Sequence, residues 1–173
     1  MSDWVVLLRG INVGGKNKLA MAELRNALEQ SGFSNVRSYV QSGNLRLSSR
    51  KAAKSVAASI QELIQSEFEL SVNVICKPAH HVAEAIANSP FQPLDEKHLH
   101  LFFWQTKPKS FGMDELEERL VKDEEIALGD HAFYLHAPNG IARSKIATKV
   151  EKHLGVPLTA RNLRTTKAIL ALS

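Results

Sequence analysis

Apolar residues in the first part of the chain follow a strand-like pattern and then a helix-like one. The apolar run Trp4–Leu8 is short and is closed by Arg and Gly, so it predicts a buried strand. A loop rich in Gly and Asn follows. Apolar residues then recur at helical spacing over 21–28, and Gly32 stands where a left-handed C-terminal cap is expected. This pattern predicts the first helix.

The next segments complete a known order of elements. Residues 35–40 and 44–47 alternate around a short polar turn and predict a hairpin. Residues 52–67 carry one apolar face and predict a second helix, and the apolar run 72–76 predicts another strand. The order over 4–76 is that of a ferredoxin-like domain, in which right-handed crossovers put both helices on one face of a four-stranded antiparallel sheet.

The second half repeats the beginning of this order. The patterns predict a helix over 79–87, a strand over 99–104, a helix over 114–121, a hairpin of 125–128 with 132–136, and helices over 144–154 and 162–172. Prolines and polar residues interrupt both periodicities between 88 and 96. We therefore expect an α+β protein of two ferredoxin-like (βαββαβ-type) subdomains with antiparallel sheets, over residues 1–88 and 89–173.

Composition narrows the class of protein without naming a function. With 173 residues, 44% of them hydrophobic, the chain is long enough to bury a core, and disordered, collagen-like and disulfide-scaffold classes are excluded. Cys76 is the only cysteine, so no intrachain disulfide forms. The first residues lack the basic leader and long apolar stretch of a secretion signal, so we expect none, and no run of about 18 apolar residues occurs in the sequence. We expect a cytoplasmic protein.

The net charge of +4 conceals two opposed segments. Residues 143–167 hold seven Lys or Arg against one acid, and residues 114–130 hold eight acids against two basic residues. A basic helix pair can engage phosphate backbones, whereas the acidic segment would repel them or pair with the basic one. Two solvated helix faces are the simpler interpretation.

The Gly-rich loop has the spacing of a phosphate-binding P-loop. Gly10, Gly15 and Lys16 follow the pattern G-x-x-x-x-G-K after an apolar strand. However, Asn17 occupies the place of the magnesium-binding Ser or Thr, and the helix is predicted to start only near residue 20. These mismatches disfavour a nucleotide hydrolase.

Two interpretations of this loop stay open. Gly10, Gly14 and Gly15 let successive amides converge, and the neighbouring cations Arg9, Lys16 and Lys18 supply charge for a phosphate or carboxylate. Alternatively, the glycines serve a connection that needs positive backbone angles, with solvated lysines beside it.

Other chemistry finds little support in the sequence. The histidines lack the tight spacing with Cys or Glu that a zinc site needs, so we predict no metal. The run 44–47 has no aromatic residue on which an RNA base could stack. Ser42 and Ser144 are interpreted as a turn and a helix start rather than nucleophiles.

Several motifs resemble those of a bacterial family. They are L-L-R-G-I-N-V-G-G-K-N-K at 7–18, M-x-x-L at 21–24, Y-V-Q-S-G-N at 39–44, P-N-G with S-K at 138–145, and T-A-R-N at 159–162. Together they resemble the domain-of-unknown-function family numbered 1697 over nearly the whole chain. The resemblance implies two ferredoxin-related α+β subdomains and no known activity, so no catalytic residue is transferred.

The leading hypothesis is a binding protein for an anionic, phosphate-bearing ligand such as a nucleotide or nucleic acid, bound at the junction of the subdomains without a cofactor. The candidate ligand-binding residues are polar or lie in the Gly-rich loop: Arg9, Asn12, Gly14, Gly15, Lys16, Gln41, Asn44, Ser144, Lys145, Arg161 and Asn162. A phosphoryl-transfer or hydrolytic enzyme using the same cleft and a protein-interaction module are the alternatives, and the oligomeric state stays open.

Overall fold

The architecture was obtained as a computed structural model that describes residues 1–109 and 112–173. The chain divides into two compact units. The first comprises residues 1–82 together with 167–173, and the second comprises 83–166. Each unit is described by itself.

The first unit contains the predicted ferredoxin-like order of elements. Its strands and helices are β1 (Ser2–Leu8), α1 (Met21–Gln30), β2 (Ser34–Tyr39), β3 (Asn44–Ser49), α2 (Ala53–Phe68) and β4 (Val74–Pro78). The strands form an antiparallel sheet in the order β2-β3-β1-β4. Helix α1 connects β1 to β2 across β3, and α2 connects β3 to β4 across β1. Both helices are therefore crossover connections, and they pack on the same face of the sheet.

The core of this unit lies between that face and the two helices. Alternate residues of β1, namely Trp4, Val6 and Leu8, point into it, as the period of two requires. Met21 and Ile60 are among the fully buried helix residues that pack against them. The strand predicted from the apolar run Trp4–Leu8 therefore contributes every second residue to the core.

Cys76 belongs to this core and has no exposed thiol. It lies on β4 beside Val6 of β1, and its side chain is buried. Burial raises the pKa of the thiol to about 12, although the neighbouring charge of Lys77 lowers it slightly. The thiol stays protonated at neutral pH, so Cys76 is a small hydrophobe rather than a nucleophile.

The end of the chain packs with the first unit. Arg46 on β3 donates to the Asp3 carboxylate, with 3.1 Å between Nε and Oδ2, and its guanidinium also donates to the carbonyl of Leu170. These two residues are 124 positions apart in the chain. Arg46 thus connects strand β3 both to the first residues of the chain and to its last helix.

The second unit has a sheet of the same topology. Its elements are α3 (Ala79–Ala87), which begins in the first unit, then β5 (Leu99–Trp104), α4 (Met113–Glu117), β6 (Glu125–Leu128), β7 (Phe133–His136), α5 (Val150–Leu154), β8 (Leu158–Asn162) and α6 (Leu163–Leu170), which ends in the first. The antiparallel strands lie in the order β6-β7-β5-β8. Large side chains, among them Trp104, Phe133 and Leu154, fill the core. Two α+β units of ferredoxin-like topology confirm the predicted fold class.

Three details of the second half differ from the predicted elements. Strand β8 was not predicted, because Ala and Asn are poor strand formers and the segment is only five residues long. The predicted helix over 144–154 begins only at Val150, and Ser144 Oγ accepts from the amides of Ile146 and Ala147 in a turn that precedes it. The helix predicted over 114–121 ends at Glu117.

Within the described residues, no helix is long and apolar enough to cross a membrane. No group of three or more His, Cys, Asp or Glu side chains in this part of the chain is arranged to hold a metal ion.

Candidate functional site

The Gly-rich loop between β1 and α1 contains a small hairpin. Val13 and Lys16 form an isolated antiparallel bridge, and the Lys16 amide donates to the Val13 carbonyl over 3.0 Å. Gly14 and Gly15 make the two-residue turn with φ values of 58° and 73°. A turn with two left-handed residues suits Gly because an added Cβ would strain both positions. We call residues 12–17 the loop hairpin.

Asn12 holds the base of the loop hairpin through its side chain. Its Oδ1 accepts from the Leu19 amide at 2.8 Å, and its Nδ2 donates to the carbonyls of Leu19 at 2.8 Å and Gln41 at 2.6 Å. The Asn12 amide also donates to the Asn17 carbonyl. The side-chain amide therefore substitutes for a strand neighbour and joins the loop to the β2–β3 turn.

Asn17 completes the closure on the other side. Its Nδ2 donates to the Gly10 carbonyl at 3.0 Å. Because the side chain is used in this way and stands where a P-loop has its metal-binding hydroxyl, the loop lacks the ligand that a magnesium site needs. The loop also folds back on itself as a hairpin, and α1 starts only at Met21. It is therefore not a P-loop.

Gln41 and Asn44 support the same region from the β2–β3 turn. Gln41 Oε1 accepts from the amide of Met21, the first residue of α1, at 3.2 Å. This contact caps a helix whose own N-cap residue is Ala20. Asn44 is fully buried, and its Nδ2 donates to the Tyr39 carbonyl and to Ser42 Oγ. Both side chains have structural partners.

The cations of the loop remain on its surface. Arg9, Lys16 and Lys18 are all exposed. Within the described residues, neither Lys16 nor Lys18 forms an ion pair. The Arg9 amide donates to the Asn73 carbonyl and fixes the backbone at the start of the loop. Of the predicted residues in the first unit, the structure gives Asn12, Gln41 and Asn44 structural partners and leaves Lys16 and the two turn glycines facing solvent.

Two exposed valines near the loop were not expected from the sequence. Val13 is 63% exposed and Val40 is 54% exposed. Val13 follows Asn12 and Val40 precedes Gln41, and these two neighbours are joined by a hydrogen bond. Val40 also has a φ of 51°, which is unfavourable for a β-branched residue. The one feature of the sequence that could have indicated an exposed valine is the position of Val40 directly before the polar turn of the predicted hairpin.

We expect Val40→Asn to raise the free energy of unfolding by about 1 kcal/mol, because Asn tolerates the left-handed region far better than Val. Urea unfolding measures the change. Val13→Asn is the matched control, since Val13 is also largely exposed but has no positive φ, and we expect its effect to stay within about 0.5 kcal/mol. A loss of stability in Val40→Asn would contradict the expectation.

The remaining predicted residues lie in the second unit. Ser144 accepts amide hydrogens in its own turn, and Asn162 Oδ1 accepts from the Thr165 amide at 2.8 Å at the start of α6. Arg161 is largely buried and donates to Thr159 Oγ1 and the Ala160 carbonyl at 2.9 Å each. Burial lowers the pKa of Arg161 to about 10, which leaves it charged at neutral pH. Lys145 is exposed.

Charged side chains of both segments make contacts inside this unit, and one contact joins the acidic segment to the basic one. Glu115 of the acidic segment lies 3.1 Å from His153 Nδ1 on α5, and Glu151 Oε2 accepts from the Leu158 amide. Arg164 lies 3.5 Å from Asp95. These contacts tie secondary-structure elements to one another, as expected when charges serve the fold. The assignment of Ser144, Lys145, Arg161 and Asn162 to a ligand site stays a prediction.

The two sheets and the loop hairpin define an α+β protein of two ferredoxin-like units that carries a basic hairpin on the first. The chain belongs to the family described as Protein of unknown function (DUF1697), whose sequence profile matches residues 1–134. This result confirms the predicted family, and the motifs at 138–145 and 159–162 lie outside the matched residues.

One solved structure is similar over almost the whole length of the chain. It is described as the structure of conserved bacterial protein SP0830 from Streptococcus pneumoniae. The identity is 24%, the TM-score is 0.73, and the match covers 99% of this chain and 98% of that one. At this identity the likeness shows the shared fold alone. Among curated proteins, none matches the chain.

Proposed function

We propose that this chain is a binding protein that recognises an anionic, phosphate-bearing group at the loop hairpin. Arg9, Lys16 and Lys18 supply positive charge, and the turn glycines Gly14 and Gly15 allow an anion to approach the backbone closely. The observation that carries the proposal is the pair of exposed lysines, Lys16 and Lys18, on and directly after a hairpin that its own hydrogen bonds already hold.

Preorganisation favours binding at this place. The contacts of Asn12 and Asn17 fix the hairpin backbone without help from a ligand, so an arriving anion does not have to order it. Gln41 and Asn44 act at the same end of the sheet by holding α1 and the β2–β3 turn. In this proposal they are positioning residues, and the cations make the contacts.

The local charge favours phosphate over neutral ligands. No acidic residue occurs between Asp3 and Glu23, so the loop carries its three positive charges without an internal counter-charge. Lys16 and Lys18 are two residues apart on one side of the turn. A group with several anionic oxygens can contact more than one of these cations, whereas a single carboxylate offers only two oxygens.

Titration of ATP into isotopically labelled protein tests the proposal. We expect weak binding, with dissociation constants of about 1 mM, that shifts the amide resonances of Gly14, Gly15 and Lys16, because the contacts are solvated. Lys16→Ala should weaken ATP binding about tenfold, or ~1.4 kcal/mol. Lys54→Ala is the matched control, since Lys54 is an exposed lysine at the start of α2.

The proposal fails if ATP at several millimolar leaves the loop resonances in place. It also fails if Lys54→Ala weakens binding as much as Lys16→Ala does.

A further inference from the structure

We infer that the phosphate-bearing partner of the loop hairpin is double-stranded DNA, with the hairpin entering the major groove. The inference rests on the proposed function and narrows it to one class of partner. Four properties of the loop support it, namely its convex form, its dimensions, its lack of aromatic side chains and its distribution of charge.

The loop hairpin is exposed at the surface of the first unit. Every residue from Val13 to Lys18 is exposed, on both arms of the hairpin and at the turn. Small ligands are usually held in concave sites that bury most of their surface. A convex hairpin instead suits a partner that contributes the concave surface, and a nucleic-acid groove is such a surface.

The dimensions of the hairpin match a wide groove. With two residues in each arm and a two-residue turn, it extends about 7 Å beyond its base, and its arms are about 5 Å apart. The major groove of B-form DNA is about 12 Å wide and 8.5 Å deep and admits a two-stranded ribbon. The major groove of A-form RNA is too narrow for side chains to enter, so duplex RNA is disfavoured.

The composition of the loop disfavours single strands. Proteins that bind single-stranded nucleic acids stack the bases on aromatic side chains. Residues 9–20 and the turn 40–43 contain no aromatic residue, and the adjacent Tyr39 is half-buried. In a duplex the bases are already stacked on one another, so cations that contact phosphates are sufficient for binding.

Charge and apolar surface are placed as a groove contact requires. Lys16 lies directly after the turn and Lys18 follows near the base, within reach of phosphates along the groove. Val13, opposite Lys16 in the bridge, is exposed and can contact a thymine methyl group. The neighbouring acids Glu23 and Glu69 lie outside the loop, on α1 and after α2.

Fluorescence anisotropy with a short labelled DNA duplex tests the inference. With three cations, we expect the logarithm of affinity to fall with the logarithm of salt at a slope of about −2.7. The double variant Lys16→Ala/Lys18→Ala should reduce the slope to about −0.9. At about 50 mM salt it should also weaken binding at least tenfold. Lys54→Ala should keep both the affinity and the slope, because Lys54 lies at the other end of the sheet.

The comparison of probes decides the partner. Single-stranded DNA of the same sequence, duplex RNA and polyglutamate should each bind more weakly than the DNA duplex, and equal or tighter binding of any of them would overturn the inference. If duplex DNA does not bind but ATP still shifts the loop resonances in a Lys16-dependent way, the inference fails and the proposed function stands. If neither binds, both fail.

Discussion

Gly43→Ala is expected to lower the free energy of unfolding by about 3 kcal/mol or more. Gly43 has a φ of 82°, which costs an L-residue about 1 kcal/mol or more. A Cβ at this position would also lie 2.7 Å from Leu8 Cβ and 3.1 Å from the Leu8 carbonyl oxygen. Leu8 is fixed in the core, so the backbone of the β2–β3 turn has to move, and overpacking of this kind costs a further ~1–3 kcal/mol.

The same substitution would weaken the support of the candidate site. The Gly43 carbonyl accepts from the Leu8 amide at 2.8 Å, and this bond sets the distance between the turn and the start of the loop. Displacement of the turn moves Gln41, whose side chain caps α1 and whose carbonyl accepts a hydrogen bond from the Asn12 side chain. We therefore expect ATP binding to weaken in Gly43→Ala even though residue 43 makes no contact with the anion.

Gly32→Ala is the matched control for Gly43→Ala. Gly32 also has a positive φ, of 96°, but an added Cβ meets nothing within 4 Å. Its replacement should cost only the backbone strain of about 1 kcal/mol. Urea unfolding of both variants gives the comparison. Equal losses in the two would show that the contact with Leu8 relaxes without cost.

Asn12→Ala is expected to cost about 2–4 kcal/mol of stability. The substitution removes two donated bonds and one accepted bond, each worth about 0.5–1.5 kcal/mol, at a partly buried position. It also places Ala at a φ of 55°, which Asn tolerates better. The carbonyls of Leu19 and Gln41 and the Leu19 amide lose their protein partner together.

Asn17→Ala separates backbone strain from the hydrogen bonds. Asn17 has nearly the same φ, 50°, but its side chain makes a single exposed bond to Gly10. Its replacement should cost about 1–2 kcal/mol, so the difference between the variants isolates the additional bonds of Asn12. Chemical denaturation of both proteins measures it. If Asn17→Ala costs as much as Asn12→Ala, the bridging role of Asn12 is wrong.

The fold of the first unit was predictable because its sequence signals are local. The alternation in β1 and β3 and the helical spacing in α1 directly record which residues face the core. The predicted elements fall within a few residues of the observed ones, and the order of elements then leaves few possible topologies.

The parts that were missed depend on contacts between distant residues. Strand β8 is held by pairing with β5, for example Ala160 with Phe102, and its own residues give little indication of a strand. The predicted helix over 144–154 was wrong over 144–149, where Ser144 Oγ accepts from the amides of Ile146 and Ala147 in a turn, and the local pattern did not show that the helix starts only at Val150.

The backbone of the Gly-rich loop was predictable, but the roles of its residues were not. The spacing of glycines and cations located the loop, and the left-handed turn at Gly14 and Gly15 agrees with it. The bond from Asn12 to Gln41 spans 29 residues, and no local pattern shows that these two amides hold the backbone. Polar residues in a motif look the same in sequence whether they bind a ligand or the main chain.

The hydrogen bond between Arg46 and the Leu170 carbonyl can form only late in the synthesis of the chain, because its partners are 124 residues apart. A ribosome adds about 5–20 residues per second, so Leu170 appears roughly 6–25 s after Arg46. The first sheet can pair as soon as β4 has emerged, because its strands all lie within residues 2–78. During that interval Arg46 can donate to Asp3 but not to Leu170, so the second contact forms only after the last helix has been synthesised.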